Sequence, residues 1–147
     1  MKNKPRVFVD TSAIFAAVLS DSGGGREILK LGAIGAIQVI ASQRVFVELE
    51  AVILKKAQNS LKHFALLLDE AKIEIVPEGR ESELNKCNKI VTYEPDRRVL
   101  ASALRAEPDF FATLDKKHFL LNKQLDKLPF PRGTPGDFLK WFRDRFR

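Results

Sequence analysis

The sequence predicts an α/β fold: a three-layer sandwich with a central, mainly parallel sheet of four to five strands flanked by helices. Three observations predict it. Short apolar, β-branched segments alternate along the chain with stretches whose apolar residues repeat at helical spacing. The intervals between those segments are long enough for the crossovers of a dozen or more residues that parallel pairing demands. A length of 147 residues, 45% hydrophobic and 30% charged, suits a single domain over 1–147 with a sizeable core.

The first strand is Arg6-Val7-Phe8-Val9, and Asp10-Thr11-Ser12 leads from it into a helix marked by Ile14, Phe15, Val18 and Leu19. Ser20 to Gly25 is a loop, followed by a helix from Arg26 to Leu31 and a strand from Ile37 to Ala41. Ser42 caps the next helix, which runs from Gln43 to Gln58 with Val45, Leu49, Val52 and Ile53 on its apolar stripe. After a break at Asn59-Ser60, a helix spans Leu61 to Glu70, and Lys72 to Val76 is the third strand, bounded by Pro77. Helices are expected from Arg80 to Ile90 and from Asp96 to Arg105, with Pro95 at a helix start and Pro108 beyond the end. Phe110 to Thr113 is a fourth strand, leading to Asp115. Past the Pro- and Gly-containing stretch from Pro129 to Gly136, Asp137 caps a last helix. It carries Phe138, Trp141 and Phe142 on one side and Lys140, Arg143 and Arg147 on another.

Composition narrows the function classes. The net charge of +6 lies wholly in residues 116–147, where nine basic residues face three acids. A polyanionic partner suits such a segment, as does a solubilising surface helix. No apolar run approaches the roughly 18 residues that span a bilayer. The opening ten residues place Asp10 where a secretory signal needs its apolar stretch, so a cytoplasmic protein without a membrane partner is expected. The single Cys87 can form neither an internal disulfide nor a cysteine-rich zinc site, and it reads as structural.

Four acids stand at strand ends or inside apolar helix stripes, where each has a structural reading and their joint placement suggests another. Asp10 ends an apolar strand and points at the opening of a helix, which also makes it a helix-cap candidate. Glu48 falls within the stripe of Val45, Leu49 and Val52, whereas Glu50 falls away from it. Asp96 heads the stripe of Val99, Leu100 and Ala103, where it can also complement the helix dipole. Asp115 follows the fourth strand. Strand ends of a parallel sheet are where ligands bind. Clustered carboxylates repel and resist burial, so they need protons, a basic partner or a cation. Oxygen ligands of this kind suit Mg²⁺ or Mn²⁺, while His63 and His118 form no zinc spacing. Such ions lower the pKa of a water and stabilise a leaving oxygen at phosphorus, with one carboxylate able to orient the water.

These segments resemble PIN-domain nucleases, especially the toxins of VapBC-type toxin–antitoxin pairs. The strand VFVDTSAI, the helix SQRVFVELEAVI, the block PDRRVLASALRAEPDFFATLDKKHF and the closing TPGDFLKWF resemble the family's motifs in order and spacing. The resemblance implies a PIN-like sandwich and cleavage of RNA that depends on Mg²⁺ or Mn²⁺. It gives Asp10, Glu48, Asp96 and Asp115 the catalytic, metal-binding roles. It also implies a homodimer and a small antitoxin protein as partners. Lys117 stands where many relatives have a further acid, which bears on whether one ion or two would bind.

Thr11, Ser12 and Thr113 can support the carboxylates or a phosphate, and they are equally suited to caps and turns. Lys116, Lys117, Lys140 and Arg143 are the candidate nucleic-acid contacts, and His118 can reach substrate. Arg44, Arg97 and Arg98 are assigned either to RNA or to neighbouring acids, and Asp109 starts a strand rather than binding metal. Two rivals lack residues. A HAD-type phosphatase needs a second Asp where this chain has Ser12, and the Gly23-Gly24-Gly25 run is followed by Arg26-Glu27 instead of the Lys-Ser/Thr of a phosphate loop. A non-catalytic PIN-fold module that binds RNA or protein is the alternative from another class.

Overall fold

Residues 4–56 and 61–145 are described by a computed structural model. Its centre is β1, Arg6–Val9, in which Val7, Phe8 and Val9 are all buried. Buried side chains on alternating sides mean that both faces of the strand are covered, as in parallel sheets packed between helix layers. The other strands are β2, Gln38–Ser42, β3, Glu74–Val76, β4, Phe110–Ala112, and β5, Arg132–Gly133. The sheet is entirely parallel, in the order β3-β2-β1-β4-β5. Phe8 stands opposite Ile40 of β2 and Phe111 of β4, and the Phe8 and Phe111 rings stack at 5.5 Å on one face. Strand order reverses between β1 and β4. The chain leaves both strands there through Asp10 and Thr113, at the crevice where ligands of parallel sheets bind.

The helices are α1, Thr11–Leu19, α2, Gly24–Ala33, α3, Gln43–Lys56, α4, Leu61–Glu70, α5, Glu81–Cys87, α6, Glu94–Ala106, and α7, Pro135–Asp144. Helix α1 packs on α2 and α3, α2 on α7, and α5 on α6. Val45, Leu49 and Ile53 of α3 and Val99, Leu100 and Ala103 of α6 are buried, so both predicted stripes face the core. These stripes aim α3 and α6 at the sheet and fix which of their acids turn inward.

Several boundaries differ from expectation. Helix α2 begins at Gly24, inside the predicted loop, because a Cβ on Gly24 or Gly25 would meet α7 at Gly136 N, 2.8 Å away, or α1 at Ala13 O, 3.0 Å away. The glycine run therefore permits close helix packing, and only Gly23 keeps a loop-like left-handed φ of +103°. Ser42 belongs to β2 while its hydroxyl accepts from Val45 N, so it is strand end and cap together. The third strand starts at Glu74 because Lys72 turns through a left-handed φ of +55°. Helix α5 stops at Cys87, three residues before Ile90. Helix α6 starts at Glu94, so Asp96 lies inside its first turn. Thr134, not Asp137, caps α7: the Thr134 hydroxyl accepts from Asp137 N at 3.0 Å and Asp137 reciprocates on Thr134 N at 2.9 Å. The two-residue strand β5 carries too little pattern to be read from the sequence. The predicted end of α3 at Gln58 and the Asn59-Ser60 break lie outside the described residues.

Candidate active site

Four elements deliver one acid each to a cleft of about 280 Å³ at the β1/β4 crevice. Asp10 comes from the end of β1, Glu48 from α3, Asp96 from the first turn of α6 and Asp115 from the segment after β4. Phe15, Val52, Val99 and Phe119 form apolar walls, and Thr11 and Ser12 line the same cleft.

Asp10 is the deepest, only 5% exposed. Its Oδ1 accepts from Ser12 Oγ at 2.7 Å and from Ala13 N at 3.1 Å, so it also caps α1. Its Oδ2 accepts from the Thr113 hydroxyl. Burial pushes its pKa up to about 6 against the pull of those three donors, and the nearby Asp115 charge adds to the rise. Thr113 is fully buried, and its oxygen accepts from Asp115 N at 3.0 Å while its proton goes to Asp10. Ser12 does the same for Leu114 N, also at 3.0 Å. Two hydroxyls therefore tie the end of β1 to the end of β4.

Glu48 is held by Thr11 Oγ1, which donates to Oε2 at 3.0 Å, and by Arg44 Nε, 3.3 Å from Oε1. Asp115 Oδ1 accepts from His118 N at 3.0 Å, and Oδ2 lies 3.0 Å from His118 Nδ1. The same ring nitrogen is 3.2 Å from Asp96 Oδ2. Burial raises the Asp96 pKa, His118 opposes the rise, and Asp115 and Glu48 add to it. Asp96 Oδ2 is buried and, among the described residues, receives no hydrogen bond from a protein donor; His118 is its ion-pair contact.

The donor set fits a hard divalent cation. Asp96, Asp115 and His118 each offer an atom within 4.8 Å of the others, and Asp96 Oδ2 has spare lone pairs. Asp10 and Glu48 add oxygens to the same cleft.

Sequence reasoning left His118 outside this group because nothing in the primary order orients a lone histidine. The signal is the spacing of three from Asp115, which lets an Asp capping a turn also meet the side chain of that turn. A single π-helical turn, Lys116–Leu120, provides it. Arg44 and Arg98 pair with Glu48 and Glu94, Arg97 donates to Asn88, and Asp109 accepts from Arg6 N where β1 and β4 begin. Lys116 and Lys117 are exposed on the turn after Asp115, and Lys140 and Arg143 are exposed on α7; none of the four lines the cleft. The aromatic side of α7 is spent on the core: Phe138 is buried and Trp141 packs against Phe110 and Phe138. Cys87 is buried, and burial pushes its thiol up to about 11, as suits a structural cysteine.

The family model of the PIN domain matches residues 7–122. The chain belongs to the PIN domain family. All four acids of the cleft fall within the matched span. Two solved structures share the PIN fold. One is a chain of VapBC2 from Rickettsia felis, bound to a DNA fragment from their promoter, at 14% identity and a TM-score of 0.64, covering 88% of this chain and 98% of that one. The other is VapC20 from Mycobacterium tuberculosis, a sarcin-ricin loop cleaving toxin, at 13% identity and a TM-score of 0.53, covering 78% of this chain and 94% of that one. No curated protein matches this PIN domain by sequence. Among the described residues, no helix is long and apolar enough to cross a membrane.

Proposed function

We propose that this PIN domain is a metal-dependent endoribonuclease that hydrolyses RNA phosphodiester bonds, and that it is the toxin of a toxin–antitoxin pair. The observation that carries the reading is the meeting of Asp10, Glu48, Asp96 and Asp115 in one cleft, although they are scattered across the chain. Carboxylates gathered in one cleft repel, Arg44 and His118 offset part of that charge, and a divalent ion removes the rest of the cost. A bound Mg²⁺ or Mn²⁺ supplies charge neutralisation at phosphorus and a more acidic water.

The residues divide the remaining work. Ser12, Thr113 and the Ala13 amide fix Asp10 as the deep ligand. The His118 amide orients Asp115, and Thr11 with Arg44 orients Glu48. Asp96, whose Oδ2 has lone pairs left free of hydrogen bonds in the lining of the cleft, is the carboxylate assigned to orient the attacking water. Likeness to toxins of known pairs supports a small antitoxin protein as partner, and the proposal includes a homodimer working in the cytoplasm.

The test is cleavage of labelled RNA by purified protein with Mn²⁺. Cleavage is expected to stop with chelator and in Asp10→Asn and Asp96→Asn while circular dichroism stays native. RNA binding at full strength in both variants, with no cleavage by the wild type under any ion, would favour the non-catalytic module.

A further inference from the structure

A second concavity, of about 590 Å³, opens between α5, the end of α6 and the segment before β5. Lys86, Lys89 and Lys127 stand on its rim, Ile90, Leu104 and Leu128 form its floor, and among the described residues no acid lines it. All three lysines are exposed, and none is ion-paired among the described residues. Unpaired ammonium groups facing one another around a groove repel, and an anion relieves them.

One side chain bridges the groove's lining and His118 beside the cleft. Asn122 Nδ2 donates to Ile90 O at 2.8 Å and to His118 O at 3.2 Å, so the groove floor and the cleft's histidine share one side chain. At the same junction Tyr93 lays its ring on His118, with centroids 5.6 Å apart and planes 22° apart. Tyr93 is nevertheless 56% exposed. An aromatic ring in water beside the carboxylates, next to a row of lysines, is the pairing that single-stranded nucleic acid requires: a stacking platform for a base and cations for the backbone. An acidic peptide would use the lysines and leave the ring without a task.

Building on the nuclease reading, we infer that single-stranded RNA lies across both concavities, with a base on Tyr93 beside the scissile phosphate and the flanking phosphates along Lys86, Lys89 and Lys127. Duplex RNA keeps its bases stacked internally and gains nothing from Tyr93.

The full chain is tested by fluorescence anisotropy in chelator, with a single-stranded oligoribonucleotide and its duplex as probes, so the measurement does not depend on cleavage. Tyr93→Ala is expected to weaken single-strand binding about tenfold and to leave duplex binding unchanged, and Tyr93→Phe restores it. The triple variant Lys86→Gln/Lys89→Gln/Lys127→Gln is expected to flatten the log–log salt dependence by about 2, as the loss of three phosphate contacts on a single strand would. With Mn²⁺, both variants raise KM and leave kcat within about twofold. Unchanged affinity and slope would overturn the inference, as would loss of binding to an acidic Glu/Leu amphipathic peptide with RNA binding intact. Binding that follows these expectations without any cleavage would instead defeat the nuclease reading and leave the track standing.

Discussion

His118 holds Asp115 twice: its backbone N–H donates to Oδ1 at 3.0 Å, and its ring Nδ1 lies 3.0 Å from Oδ2. The first contact belongs to the turn and survives any side chain at position 118. The second also reaches Asp96 and softens the repulsion between the two carboxylates. Replacing His118 by Ala is therefore expected to lower the ion-free melting temperature by about 3 °C, the scale of one partly exposed ion pair in a chain of this length. Saturating Mn²⁺ closes the gap, because the ion takes over the neutralisation. Melting curves with and without Mn²⁺ check it, and a gap that persists in Mn²⁺ contradicts it.

Asp10 makes the ion-free protein pH-sensitive. Its folded-state pKa of about 6 lies above the usual carboxylate value. The stability linked to its proton is thus complete below about pH 4 and is lost as pH rises through 6, a change of about 3 kcal/mol. Asp10→Asn carries no such charge. At pH 7 without divalent ions it is expected to melt above the wild type, and at pH 4 the order closes or reverses. Mn²⁺ raises the wild-type melting temperature but not that of the variant, which denaturation in buffers of pH 4 to 7.5 will resolve.

Thr113 passes one hydrogen bond on to the next, accepting from Asp115 N and donating to Asp10. Thr113→Val keeps the shape and removes both, leaving the part-buried Asp115 amide and the buried Asp10 carboxylate each one partner short, at a cost of about 1 kcal/mol or more. The expected signature is weaker Mn²⁺ binding by calorimetry, with cleavage reduced at least about tenfold. Thr113→Ser, which keeps the hydroxyl, recovers most of both.

Glu83 makes the opposite pH prediction at a distance from the cleft. Hydrogen bonds from the Arg80 guanidinium and amide, and from Ser82, hold its carboxyl down to about 2. A depressed pKa contributes stability above the unfolded value near 4.5, lost as pH falls from there toward 2. Glu83→Gln is expected to melt a few degrees lower at pH 7 and to match the wild type at pH 2, as thermal scans across that range will show.

The positions of all four carboxylates were legible because burial patterns speak through periodicity. Glu48 and Asp96 interrupt stripes whose other members reach the core, Asp10 follows the last residue of one apolar strand, and Asp115 lies just past another. What was not legible depends on contacts without period. The β5 segment is too short to show alternation, and the α2 start is set by how near α1 and α7 approach Gly24 and Gly25. The lysine groove was hidden because Lys86 and Lys89 lie in a stretch whose charges cancel along the chain, though not across its surface. His118 and Tyr93 meet only through the turn geometry after β4 and before α6.

The central place of β1 has a consequence for biogenesis. Its neighbour β4 is emitted by the ribosome about a hundred residues later, and the bond between Thr113 and Asp10 spans 103 positions. A nascent chain that has not yet extruded β4 holds only part of the acidic cleft, so the four carboxylates come together only when translation of the fold is nearly finished.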